Sequence, residues 1–187
     1  GAAPAEFLDH VGAPLRQGLV LTRNALVGTG LKDDVRLACS GKQISAFSIA
    51  SSLALGADWV NTARGFMFSL GCIQSLNCHN NTCPTGIATT DKTRQRGLVV
   101  EEKAIRVRNF QRNTVQALME VVGATGCVHP SELTPRHVMH RVTEDIAYTA
   151  ERAYQLVQPG QLLTAPDETQ LAREWRMAQA HSFQPAD

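Results

Sequence analysis

Three cysteines, Cys72, Cys78 and Cys83, fall close together in the pattern C-x5-C-x4-C, within the stretch LGCIQSLNCHNNTCPTG that runs from Leu70 to Gly86. Thiolates at such spacing suit metal ligation. Structural zinc usually draws two ligands from one tight C-x2-C knuckle, and gaps of five and four are looser than that. His79 would complete a Cys3His set, so zinc stays open. Iron–sulfur clusters accept thiolates from looser loops. The third reading is that the cysteines pack as small apolar side chains. Their company, Asn77, His79, Asn80, Asn81 and Thr82, forms cores poorly. A disulfide framework fits least, because five cysteines in a chain of 187 residues are an odd number in a protein large enough to need no staples. That usage favours reduced thiols and a cytoplasmic location.

A second chemistry is suggested by two short turns, Ser40-Gly41-Lys42 and Ala63-Arg64-Gly65. Each offers glycine, which lets backbone N–H groups approach a ligand closely, together with a cation; Ser40 adds a hydroxyl. Such turns bind phosphate when they stand at the ends of consecutive strands. The histidines His10, His129, His137, His140 and His181 are scattered without HExxH spacing, although the spacing of His137 and His140 predicts one helical face. No G-x-S-x-G nucleophile elbow is present.

The surrounding periodicity supplies the elements that would position these groups. A helix is expected over 14–31, with Pro14 at its first position and Gly28 and Gly30 near its end. A strand over 35–39 leads into Ser40-Gly41-Lys42. A second helix over 44–55 stops at Gly56, and a strand over 57–61 leads into the Ala-Arg-Gly turn. This alternation predicts parallel α/β architecture, with functional loops at the C-terminal ends of the strands. The clearest helix is expected over 101–122, closed by Gly123. Beyond it, a helix start at Thr134-Pro135, a helix over 143–157 and an amphipathic stretch over 168–180 are predicted.

The composition, 43% apolar and 19% charged with net charge +1, is that of a globular chain with one substantial core. The balanced charge gives no electrostatic case for nucleic acid. No apolar run is long enough to span a membrane, and 1–7 lack the basic and apolar parts of a signal peptide. The opening GAAPAEF, without an initiator methionine, reads as the tail of a glycine-rich loop, so further residues are expected upstream.

Taken together, Gly1-Ala-Ala-Pro-Ala-Glu-Phe7, Ala25-Leu-Val-Gly-Thr-Gly-Leu31, Ser40-Gly41-Lys42, Ala54-Leu-Gly-Ala-Asp58 and above all Gly71-Cys72 through Cys78-His79 to Cys83-Pro84-Thr-Gly86-Ile-Ala-Thr89 resemble the FMN-binding domain of glutamate synthase, strongly over 1–142 and more loosely beyond. The resemblance implies an α/β fold that is the C-terminal part of a (β/α)8 TIM barrel. Residues 1–126 would form the barrel portion, with an iron–sulfur loop at 70–89, and 127–187 a helical C-terminal extension. It implies that Ser40, Gly41, Lys42, Ala63, Arg64 and Gly65 hold the FMN phosphate and that Cys72, Cys78 and Cys83 bind a 3Fe–4S cluster. Large family members carry Gly-Gly where this chain has Gly41-Lys42, which gives the lysine a part in the phosphate grip.

The implied reaction is reductive amination of 2-oxoglutarate to glutamate, with ammonia or glutamine as nitrogen source and ferredoxin or an NAD(P)H-oxidising subunit as electron donor. The resemblance implies that the 2-oxoglutarate pocket and the flavin-ring contacts come mostly from earlier strands, and no residue here is assigned a catalytic role. Open strand edges make self-association into a homo-oligomer an expectation. The alternatives are amino-group transfer on another glutamate-like compound, as in N-methylglutamate formation, and a non-catalytic zinc or structural module.

Overall fold

The computed structural model describes residues 3–186. In chain order the elements are α1 (Ala5–His10), α2 (Leu15–Gly28), β1 (Ala38–Ser40), α3 (Ala46–Ala54), β2 (Trp59–Asn61), α4 (Ala63–Leu70), α5 (Lys92–Gln95), α6 (Val100–Ala124), β3 (Met139–Arg141), β4 (Ala147–Thr149), α7 (Ala150–Ala153), α8 (Gln161–Thr164) and α9 (Ala172–Met177). The result is a mixed α/β chain with two small sheets, β1 with β2 and β3 with β4. It packs as two compact units, one built from Gly1–Leu15, Ser40–Ala50 and Val60–Pro130, the other from Arg16–Cys39, Ser51–Trp59 and Ser131–Asp187.

The helices end as the sequence directs. At Gly71, with φ of 102°, the glycine N–H bonds to Phe68 O at 2.9 Å and the Cys72 N–H bonds back to Met67 O at 3.0 Å. This is the Schellman closure, and its left-handed residue favours glycine because a Cβ would clash with the backbone. The same pair of bonds closes α2 at Gly30, α3 at Gly56 and α6 at Gly126. Thus α6 runs past Gly123, the expected stop, and ends where the chain next adopts positive φ.

In the first unit α4 lies against α6, with Phe66 and Phe110 meeting edge to face, ring centroids 5.1 Å apart. In the second unit α2 buries Leu19, Val20, Asn24 and Gly28 along one face. Gly28 is required there by packing, since a Cβ would stand 2.5 Å from Leu162 Cγ and 3.0 Å from Val157 Cγ1. Val157, Leu162 and Leu171 form the adjoining core, with Trp175 against it.

Both strands are shorter than expected and begin later, at Ala38 and Trp59. Asp58 explains the fixed entry to them. Its N–H donates to Leu37 O at 2.8 Å, and its carboxylate accepts from the Leu37 N–H at 2.6 Å, from Lys32 Nζ at 2.9 Å and from Arg36 Nη1 at 3.4 Å. Burial pushes the Asp58 carboxyl up, but the Lys32 hydrogen bond, the Leu37 N–H, the Lys32 charge and Arg36 together outweigh it and hold the pKa below the usual value.

Several expectations for the chain ends are corrected. Residues 1 and 2 of the anticipated glycine-rich loop lie outside the described residues, and 5–10 form α1 rather than loop. The helix expected over 143–157 is instead a β3–β4 hairpin, paired Met139 with Thr149 and Arg141 with Ala147, followed by the single-turn α7. Its turn is held by Thr143 Oγ1, which accepts the Ile146 N–H at 3.1 Å, and by the Ile146 carbonyl, which accepts the Val142 N–H at 2.8 Å. A hydroxyl that bonds local backbone competes with the helical ladder, and here it wins.

The Thr134-Pro135 start yields only the 3-10 turn Pro135–His137, closed by a capping box in which His137 Nδ1 accepts the Thr134 N–H at 3.0 Å. His137 sits in that turn and His140 in β3, so they share no helical face. The stretch over 168–180 contracts to α9, and the extension is mixed rather than helical.

Substituting Asp58→Asn, which keeps the shape and removes the charge, is expected to cost about 1–2 kcal/mol in urea unfolding at pH 7. The folded pKa is depressed, so the stabilisation is complete above the ordinary carboxylate range and is lost as pH falls through the lowered value. The difference between wild type and variant therefore shrinks on acidification.

Candidate cofactor site

The N-terminus of α4 and the turn after β1 meet in the first unit. Ser40, Gly41, Lys42, Ala63 and Arg64 line one cavity of about 130 Å3, together with Met67, Cys72 and Cys78. The volume suits an anionic group rather than a whole nucleotide, for which pockets of ~300 Å3 and above are usual. Gly41 adopts φ of 140° and Lys42 φ of 49°, so the turn exposes its backbone. Thr62 precedes α4 without a side-chain cap, leaving the first helical N–H groups to other acceptors. Two cations, helix N–H groups without a side-chain cap and a hydroxyl are the chemistry that suits an anion.

Five of the six anticipated phosphate residues thus converge. The Ala63-Arg64-Gly65 segment is the first turn of α4 rather than a free turn. Gly65 is buried outside the cavity lining, and a Cβ there would stand 2.6 Å from Phe110 Cζ. Its role in the structure is close helix packing. Sequence reasoning missed Met67, Gln74 and Leu76 in the lining; Gln74 and Leu76 take positive φ, of 56° and 59°, which no local pattern announces.

All five cysteines are free thiols. Cys72 and Cys78 share the cavity wall, whereas Cys83 is buried outside the lining. Among the described residues no three His, Cys, Asp or Glu side chains are gathered as a metal-holding group. Around Cys83 the chain is arranged for a sulfur anion. Burial pushes its thiol up, but hydrogen bonds from the Thr85 hydroxyl and the N–H groups of Ala88, Thr85 and Ile87 outweigh this and bring it down to about 7. Thr85 Oγ1 lies 3.4 Å from the sulfur. Two further cations stand near Gly71, the residue before Cys72: a Cβ on Gly71 would lie 3.7 Å from Lys103 Nζ and 3.9 Å from Arg106 Nη1.

The polar residues between and after the cysteines shape the loop. Asn81 Oδ1 accepts from the Thr90 N–H at 2.7 Å and Thr89 Oγ1 at 3.0 Å, while the Asn81 carbonyl accepts from Thr89 Oγ1 at 2.7 Å. Asp91 caps α5 by accepting from the Thr93 and Arg94 N–H groups at 2.8 and 3.3 Å. α5 closes down on Gly86, where a Cβ would meet Arg94 O at 2.2 Å. His79 is exposed in the short turn Asn77–His79.

In the metal-free chain with Cys83 as its only cysteine, thiolate absorbance is expected to titrate near pH 7. Thr85→Val removes one donor to the sulfur and moves the midpoint upward; an unchanged midpoint would remove the hydroxyl from this account.

A family model describing a conserved region in glutamate synthase matches residues 1–128. The glutamate synthase large subunit-like protein YerD of Bacillus subtilis is 43% identical over 141 residues, which is 75% of this chain and 27% of that protein. The archaeal glutamate synthase (NADPH) of Methanocaldococcus jannaschii is 32% identical over 126 residues, 67% of this chain and 25% of that protein. The chloroplastic ferredoxin-dependent glutamate synthase 2 of Arabidopsis thaliana is 35% identical over 89 residues, 48% of this chain and 6% of that protein. The chain spans about a quarter of the length of the first two relatives. By the extent of the family match, the chain belongs to the glutamate synthase family.

Proposed function

We propose that the chain is the phosphate-gripping and iron–sulfur part of a glutamate synthase-type oxidoreductase that makes glutamate from 2-oxoglutarate. The observation that carries this reading is the convergence of Ser40, Gly41, Lys42, Ala63 and Arg64 on one cavity whose wall also holds Cys72 and Cys78. In this reading 1–126 form the C-terminal part of a (β/α)8 barrel and 127–187 an extension. Ammonia or glutamine would supply nitrogen. The relatives' names, which include NADPH and ferredoxin, support one of these as electron source.

The residues fit the FMN phosphate well. Lys42 and Arg64 supply charge, the Gly41 turn and the start of α4 supply N–H donors, and Ser40 supplies a hydroxyl. For the cluster the fit is one of donor chemistry: three free thiols, one of them in an N–H cradle that stabilises thiolate. Bound flavin and cluster would supply the electron relay that reduces the imine of 2-oxoglutarate and ammonia. What the chain's own residues do is hold: Arg64 and Lys42 would orient an anion, and Lys103 and Arg106 place positive charge at Gly71, the residue before Cys72.

The test is anaerobic reconstitution of the chain with FMN, iron and sulfide. Arg64→Gln is expected to weaken FMN binding at least tenfold, and Cys78→Ser to abolish broad visible absorption. A colourless product with stoichiometric zinc, or FMN affinity indifferent to Arg64, would overturn the respective assignment.

A further inference from the structure

The second unit holds a separate cavity of about 270 Å3, lined among others by Arg23, Thr134, Arg136, Glu151, Val157 and Gln158. Most of its lining comes from residues beyond 128, past the stretch that the family model matches. Its two guanidinium groups are treated unequally. Arg136 is paired with Glu151 in a bidentate bridge, Nε to Oε2 at 2.8 Å and Nη2 to Oε1 at 3.3 Å. Arg23 is half-buried on α2, and its hydrogen bonds go to neutral acceptors, Asn24 Oδ1 at 2.9 Å and Val157 O at 3.4 Å.

A half-buried cation whose hydrogen bonds go to neutral oxygens is costly, and a carboxylate fitted to the guanidinium fork relieves that cost. Burial lowers the Arg23 pKa, with the charge of Glu151 acting in the opposite direction, which places Glu151 within electrostatic reach. Burial is the larger effect, so the attraction of Glu151 offsets the cost of the buried cation only in part. We propose that this cavity binds a small carboxylate anion, anchored by Arg23 and bordered by the Arg136–Glu151 pair. The site is independent of the cysteine loop and of the phosphate-gripping turns.

Propionate is the probe, titrated into the 187-residue chain at constant ionic strength against a chloride control and followed by calorimetry or by NMR shifts. Saturable binding is expected, weakened at least tenfold in Arg23→Gln. Glu151→Gln, an exposed change that leaves α2 untouched, is expected to tighten propionate binding several-fold, because it frees Arg136 and removes the competing carboxylate. Absence of saturable binding, equal affinity in Arg23→Gln, or weaker or unchanged propionate binding in Glu151→Gln would each overturn the proposal. If Arg23→Gln loses its far-UV circular dichroism, the Glu151→Gln result decides. Glycine in place of propionate distinguishes the ligand class. Tighter glycine binding that is lost in Glu151→Gln supports an amino acid, whose ammonium Glu151 accepts, and equal binding supports a plain carboxylate.

Discussion

The bond from the Cys72 N–H to the Met67 carbonyl ties together the two chemistries of the first unit. It makes Cys72 part of the closure of α4, which fixes the Cys72 backbone relative to the helix. The other end of the same helix carries Ala63 and Arg64. Eight helical residues rise by about 12 Å, and α4 therefore acts as a ruler between the end that carries Arg64 and the end that carries the Cys72 thiol. Met67, midway along, lines the same cavity as both. Gly65 lets the ruler sit close against Phe110 of α6, which keeps its direction fixed.

The loop that follows is held by a different kind of bond. From Asn80 to Gln95 many of the contacts are side chain to backbone: Asn81 on Thr89 and Thr90, Asp91 on the start of α5, and Gln95 Nε2 on the Thr89 carbonyl at 2.8 Å. Such bonds need no apolar core, which explains why a segment rich in asparagine and threonine is nonetheless ordered. Their effect is to present N–H groups to Cys83. Apolar burial would have made that sulfur a poor anion; the surrounding donors reverse the outcome.

Much of this was legible in sequence. Long periodic segments with glycine at their ends, α2, α3 and α6, stand close to where their spacing placed them, because one apolar face and one terminator decide them locally. That Ser40-Gly41-Lys42 and Ala63-Arg64 come together on one cavity follows from the same kind of signal, glycine and cation after a short strand. Gly65 was read as part of a turn, yet it answers to Phe110, a residue far along the chain that no local pattern links to it. The tail resisted for a related reason. Over 143–157 an apolar count consistent with a helix was overruled by Thr143 and by pairing of Tyr148 with His140. Cross-strand pairing depends on a partner, and its signal is weaker than helical period in so short a segment.

The notch at Gly28 bears on how such a chain can be divided and recombined. The stretch that the family model matches ends at 128, yet α2, inside that stretch, is completed by residues beyond it. Leu162 and Val157 fill the space left by the missing side chain, the Val157 N–H donates to buried Asn24 Oδ1 at 3.3 Å, and the Gly160 N–H donates to Val27 O at 3.0 Å. The homologous stretch and the folding unit consequently have different boundaries. A genetic exchange cut at the end of the shared stretch would strip one face of α2 bare, so the two parts are expected to be inherited together.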